Sequence, residues 1–257
     1  MVIVSIYEFK KSIIMTPKSS LTTEIISQAQ SYDGIRAGIV RLKDVLKGYS
    51  YQAAPDDPGS QGQLDDGQIV DWPKEARTVL ILGLNHPEKD PRLDWLERGD
   101  TWGNRRLREI SELLKQWFRK EYGLDAQPLP YHVAKGGLFL KDAAVLSGIG
   151  IIGRNNLLLH PEWGPRIRLR SILLEGDFQT TEVLEGFSPC ETCEGFCQKA
   201  CPMNAFPQEK YRRPICRKQI IANVENKVPD GEIGENGKRN LVIKYSRACE
   251  LSCPVGV

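Results

Sequence analysis

Apolar positions fall along the chain in stretches of distinct period. Over residues 104–122 they recur every three or four residues. Leu107, Ile110, Leu113, Leu114, Trp117 and Phe118 form one stripe, which predicts an amphipathic helix. Gly123 stands where a left-handed residue would close it. In this reading Trp117 and Phe118 are core residues, not part of a cofactor box. Residues 78–84 (Thr-Val-Leu-Ile-Leu-Gly-Leu) are almost wholly apolar and predict a central strand buried on both faces. Residues 167–174 alternate and predict another strand, and Leu157, Leu158 and Leu159 a short one. Residues 20–30 predict a short helix with Ser19 or Ser20 as its cap and Leu21, Ile25 and Ile26 on its apolar side. Residues 39–46 form a second apolar-periodic segment, and 138–147 a short helix ending at Gly148. Residues 52–68 are rich in Pro, Gly and Asp and read as a long loop. Strands and helices alternate to about residue 180, which predicts an α/β (α+β) class, with an α-helical appendage after it.

Composition narrows the picture. The 257 residues are 40% hydrophobic, enough for a sizeable core. The 35 basic and 33 acidic residues give +2, which offers no electrostatic footprint for nucleic acid or an anionic membrane. No apolar run approaches the ~18 residues of a membrane helix. Glu8, Lys10 and Lys11 interrupt the apolar N-terminus, so no signal peptide is expected; Met15 is a candidate second start. The expectation is a cytoplasmic protein with no membrane partner.

The seven cysteines change the reading most, because all lie between Cys190 and Cys253. An odd count, tight spacing and the absence of a secretory signal argue against a disulfide framework. Cys190, Cys193, Cys197 and Cys201-Pro202 spell CxxCxxxCxxxCP. That is the bacterial ferredoxin run with one extra residue in the second gap. Three such thiolates can wrap one face of an iron–sulfur cube while the fourth ligates a neighbouring cube. Zinc is the rival, but needs no CxxxCP tail, and four ligands so close in sequence wrap a tetrahedron poorly. Cys249 and Cys253-Pro254 repeat the CxxxCP ending, with Cys216 between the groups. A two-cluster crossover assigns Cys190, Cys193, Cys197 and Cys253 to one [4Fe–4S] cluster, and Cys201, Cys216 and Cys249 to a second. The second lacks one thiolate, and Ser246 occupies the missing position. Three outcomes stay open: an oxygen ligand such as Ser246, an open iron site, or a three-iron cluster.

Residues 148–156 read Gly-Ile-Gly-Ile-Ile-Gly-Arg-Asn-Asn, matching GxGxxG at Gly148, Gly150 and Gly153. A dinucleotide fingerprint follows a strand and opens a helix. This one follows a helix and leads into a strand, so a tight turn packed against a neighbour is the better-supported reading.

Together these motifs resemble the epoxyqueuosine reductase and reductive dehalogenase superfamily. The resemblance is carried by residues 76–84, the 148–156 turn, Pro161-Glu-Trp-Gly-Pro-Arg166 and the paired cysteine motifs, and covers roughly 70–257. It implies a nitroreductase-like sheet-and-helix domain over 1–185 that binds cobalamin, then a small ferredoxin-like two-cluster segment over 186–257. Electrons would pass through the clusters to cobalt. It further implies that Tyr131, Gly148, Gly150, Gly153, Arg154, Asn155 and Arg166 line the corrinoid cavity, with His86 nearby. The family's proton-donating Asp falls by its spacing on Ala134. His132, Lys135 and Asp142 are the nearest titratable groups, and His132 is the candidate catalytic residue. The helical-repeat extension of the tRNA-acting members does not follow Cys253, so tRNA is not the expected substrate. A low-potential donor such as ferredoxin or flavodoxin is the expected partner, and a small molecule or a corrinoid protein the acceptor. Two alternatives remain: an electron-transfer protein with no substrate of its own, and a flavin in place of the corrinoid.

Overall fold

The protein is described from a computed structural model, which covers residues 18–53, 69–97, 100–233, 237–242 and 247–257. Its centre is a four-stranded antiparallel sheet in the order β1 (Ile35–Arg41), β2 (Ala76–Asn85), β8 (Ile167–Glu175), β5 (Ala126–Pro128). The apolar run of β2 lies in the middle and is buried along nearly its whole length. The pleat sends alternate residues to opposite faces. Ile39, Leu80 and Ile172 are register partners and face one core; Val40, Val79 and Leu173 face the other.

Two helices cover the first face: α1 (Lys18–Gln30), through Leu21 and Ile25, and α4 (Trp102–Tyr122), through Leu107, Ile110, Leu114 and Phe118. Each buried aliphatic chain of this kind contributes ~1.5–3 kcal/mol. Thr101 caps α4 by accepting a hydrogen bond from the Asn104 N–H at 3.2 Å, and Gly123 ends it at φ 61°. The second face is covered by α2 (Leu42–Val45) and α5 (Leu140–Leu146). The residue after α5, Ser147, presses on β1 at Gly38, where a Cβ would meet its carbonyl oxygen at 2.3 Å.

A second sheet runs in the order β4 (Asp100–Thr101), β3 (Trp95–Glu97), β10 (Arg239–Val242), β9 (Val228–Ile233). It joins an early segment to a late one, with Leu96 opposite Leu241. A short hairpin, β6 (Ile151–Ile152) and β7 (Leu158–Leu159), frames the glycine turn. The cysteine segment carries α6 (Phe196–Lys199), α7 (Arg213–Glu225) and α8 (Ala248–Leu251).

The expected long helix, central strand and β8 are found where the pattern put them. Residues 39–46 are not one periodic element: Ile39 and Val40 pair with Leu80 and Val79 in β1, and the helix begins at Leu42. β-branched residues next to an apolar strand gain more from the ladder. Leu113 was placed on the buried stripe but is 38% exposed. The late segment also contributes β9 and β10, so it is not purely helical. Most of the expected loop, residues 54–68, and Met15 lie outside the described residues.

Candidate metal centre

Gly195, at φ 74°, turns the chain into α6, which packs against α8. Those two short helices bring the distant halves of the cysteine pattern together. Cys190, Cys193, Cys197 and Cys253 line one small cavity, with Arg154, Asn155 and Leu159 on its wall. Burial, and then the neighbouring Cys253, Cys190 and Cys193, push the Cys197 thiol up. Cys249 is pushed to about 12, by burial first and then by Cys216 and Cys201. Cys201 and Cys216 are thus the nearest thiols to Cys249, and Cys197 of the first group acts on it more weakly. Crowded thiols of this kind shed protons when a cationic centre binds them. The Ala205 N–H donates to Cys201 Sγ at 3.3 Å. All seven cysteines are free. Among the described residues no three Cys, His, Asp or Glu side chains converge on a point as a single ion requires. Ser246 lies outside the described residues.

Three of the residues expected to line a cofactor cavity, Arg154, Asn155 and Arg166, face this segment. Arg154 Nη1 donates to the Cys193 carbonyl at 3.0 Å, and Asn155 Nδ2 to the Cys249 carbonyl at 3.3 Å. Arg166 donates to the carbonyls of Val255 at 3.0 Å and of Leu251 and Cys253 at 3.3 Å. Two of the glycines face protein backbone and the third a side chain: a Cβ on Gly148 would sit 1.9 Å from the Glu182 carbonyl oxygen, one on Gly150 2.3 Å from that of Leu159, and one on Gly153 2.7 Å from the Leu159 side chain. The close-packed turn foreseen from the element order is what these contacts describe. Tyr131 is exposed, and its ring meets the edge of His132 at a centroid distance of 5.3 Å. His132 is buried, and its carbonyl closes a tight turn by accepting from Lys135 N and Gly137 N.

Three features escaped the sequence reading. Asn156 adopts a left-handed φ of 57°, and Tyr211 lies close to it and to Cys216. Burial above all, and then Cys216, push the Tyr211 phenol up, so it stays protonated. Lys141 reaches the same place, donating to the Asn156 carbonyl at 2.6 Å; burial lowers its ammonium. Glu250, between two cysteines, is buried among Arg168, Arg247 and His86. Its oxygens lie 3.5 Å from Arg168 Nη1, 2.7 Å from Arg247 Nη2 and 3.6 Å from His86 Nδ1. Burial raises its carboxyl, but Arg168, then His86 and Arg247, outweigh it and hold the pKa at about 2. A carboxylate beside a ligand cysteine in a buried segment was the available signal, since it must be paired.

No family model matches the chain. It is 22% identical over 188 residues to epoxyqueuosine reductase from Lactococcus garvieae (strain Lg2), covering 66% of this chain and 49% of that protein. It is 31% identical over 143 residues to epoxyqueuosine reductase from Synechocystis, covering 51% and 46%. The chain thus spans about half the length of these curated relatives. Epoxyqueuosine reductase bound to a modified tRNA stem loop superposes with a TM-score of 0.62 at 19% identity, covering 93% of this chain and 66% of that one. A catabolic reductive dehalogenase gives 0.56 at 16%, covering 77% and 28%. The fold is the one seen in solved epoxyqueuosine reductases and reductive dehalogenases. In sequence the resemblance is to epoxyqueuosine reductases in particular. No described helix is long and apolar enough to cross a membrane.

Proposed function

We propose that the protein is an iron–sulfur reductase similar to epoxyqueuosine reductase, a nitroreductase-like body carrying a ferredoxin-like segment with two clusters. The supporting observation is that Cys190, Cys193 and Cys197 meet Cys253 around one cavity, while Cys201, Cys216 and Cys249 gather beside them. The donor set fits such clusters. Each thiolate of a cube binds a different iron, so the sulfurs must surround a volume, whereas zinc draws all four to ~2.3 Å from one point. When bound, the clusters supply one-electron storage next to the sheet body. The chain's own residues shape the site. Arg154, Asn155 and Arg166 fix the ligand-bearing backbone, and Glu250 with its arginines holds α8 in place.

Cobalamin is the proposed electron acceptor, in keeping with similarity to a dehalogenase described as B12-dependent. The residues foreseen for its cavity fit it poorly: Arg154, Asn155 and Arg166 are engaged with the cysteine segment, and the glycines with backbone and the Leu159 side chain. No step is therefore derived through it. Tyr131, with the buried His132 behind it, is exposed, as is Arg154. The proposed partners are a low-potential ferredoxin or flavodoxin as donor and a small molecule as substrate, in the cytoplasm.

Anaerobic reconstitution with iron and sulfide tests the reading. About eight irons per chain support two cubes, about seven an incomplete second one, and about four overturn the second site. Zinc-filled, colourless protein overturns the whole reading. Cobalamin titration giving a base-off spectrum supports the acceptor; flavin uptake replaces it; uptake of neither favours the pure electron-transfer alternative.

A further inference from the structure

Residues 210–218 read Lys-Tyr-Arg-Arg-Pro-Ile-Cys-Arg-Lys, five cations and no carboxylate within nine positions. The whole chain is only +2, so the remainder is net acidic. Lys210, Arg212, Arg213, Arg217 and Lys218 are all exposed. Among the described residues, Lys210, Arg212, Arg217 and Lys218 meet no carboxylate. Cys216 stands in their midst, half-buried. We propose that this patch is the docking surface for an acidic one-electron donor protein, whose electron enters the chain through the second cluster. The proposal deepens the iron–sulfur reading above and rests on it, since Cys216 is a cluster ligand there. One electron leaves the donor's reduced centre and enters the cluster; no bond forms or breaks.

Electron-transfer complexes are small and short-lived, so complementary charge does much of the steering between partners. The patch has the form such a contact needs. Arg213 and Arg217 lie four apart on α7 and share a face. Ile220 and Ile221 follow on the next turn, each 37% exposed, and supply apolar contact beside the cations. No residue of α7 is buried. The stretch is tied to the rest of the cysteine segment: the Arg212 N–H donates to the Ala205 carbonyl at 2.8 Å, and Gln198 Nε2 to the Glu209 carbonyl at 3.3 Å. The other end of the segment has the opposite sign. Residues 182–194 hold Glu182, Glu185, Glu191 and Glu194, all exposed, with no Lys or Arg, and they include Cys190 and Cys193. An acidic partner is therefore drawn to Cys216 and repelled from the first cysteine group. A nucleic acid calls for cations spread along many phosphates. Here they are confined to one short stretch around a redox ligand, with apolar side chains beside it, which favours a protein.

The experiment uses the full chain, reconstituted anaerobically, with iron and sulfide counted first. The probe is a photoreduced plant-type [2Fe–2S] ferredoxin, an acidic protein, and stopped-flow absorbance follows its oxidation by the chain. The second-order rate constant is expected to fall about tenfold or more as salt rises from ~0.05 to ~0.5 M. The triple variant Arg212→Glu, Arg217→Glu, Lys218→Glu slows the low-salt reaction by a similar factor and loses the salt dependence. Lys43→Glu, Lys47→Glu, Lys74→Glu makes the same change in net charge at exposed residues remote from the patch, and keeps most of the wild-type rate. A rate indifferent to salt and to the patch overturns the inference and leaves the iron–sulfur reading standing, as does an equal loss in both triple variants. So does a short single-stranded RNA that binds the wild-type chain and not the patch variant while the ferredoxin rate is the same in both; the surface then serves nucleic acid. A wild-type chain that takes up no iron overturns both readings. If the patch variant loses iron, Arg212→Gln with Lys218→Gln decides by the same criterion.

Discussion

Glu250 is a carboxylate with two guanidinium groups and an imidazole around it, and almost no water. Replacing it with Gln leaves Arg247 and Arg168 without their anion, and breaking a buried pair costs ~3–5 kcal/mol. Urea unfolding of the metal-free chain is expected to show a loss of about that size for Glu250→Gln. The Arg36–Glu162 pair, at 39% and 62% side-chain exposure, gives a contrast: Glu162→Gln should cost under ~1 kcal/mol in the same assay. The cysteines were legible because thiols packed at such spacing have few other uses. The partners of Glu250 were not, since Arg168 lies in β8 and His86 just after β2, both far upstream, and no local pattern announces which charges will meet.

At the scale of elements, α4 separates the two neighbours that the stripe had joined. Leu114 is fully buried and Leu113 is not. Leu114→Ala should destabilise by ~2–5 kcal/mol, and Leu113→Ala by much less, read as the shift in denaturation midpoint at constant slope. The glycines separate in the same way. At Gly123 nothing lies near the absent Cβ, so Gly123→Ala costs ~1 kcal/mol of left-handed strain. At Gly148 the Glu182 carbonyl must move as well, so Gly148→Ala should cost clearly more in the same titration. The helix and the central strands could be read from the chain because their periodicity is set by one-sided or two-sided burial. Residues 39–46 could not, because their strand half depends on pairing with β2. β9 and β10 escaped notice for the same reason: β10 pairs with β3, in a remote part of the sequence, and β9 with β10.

Across the whole molecule, the sheet body and the cysteine segment are fastened by side chains reaching for main-chain carbonyls. Arg166 alone holds three of them. Arg166→Ala should raise amide hydrogen exchange around residues 251–255 while β2 and β8 stay protected, and lower the iron retained after desalting. Iron removal by a chelator should likewise loosen the cysteine segment before the sheet, seen as two separated unfolding transitions. Cys253 and Cys197 share a cavity although they come from opposite ends of the segment, and β10 closes on β3 from further still. During synthesis on the ribosome, Cys190, Cys193 and Cys197 would emerge well before the residue that completes their enclosure. On the proposed iron–sulfur reading, those sulfurs would wait in an unfinished cradle, open to oxidants, until Cys253 arrived.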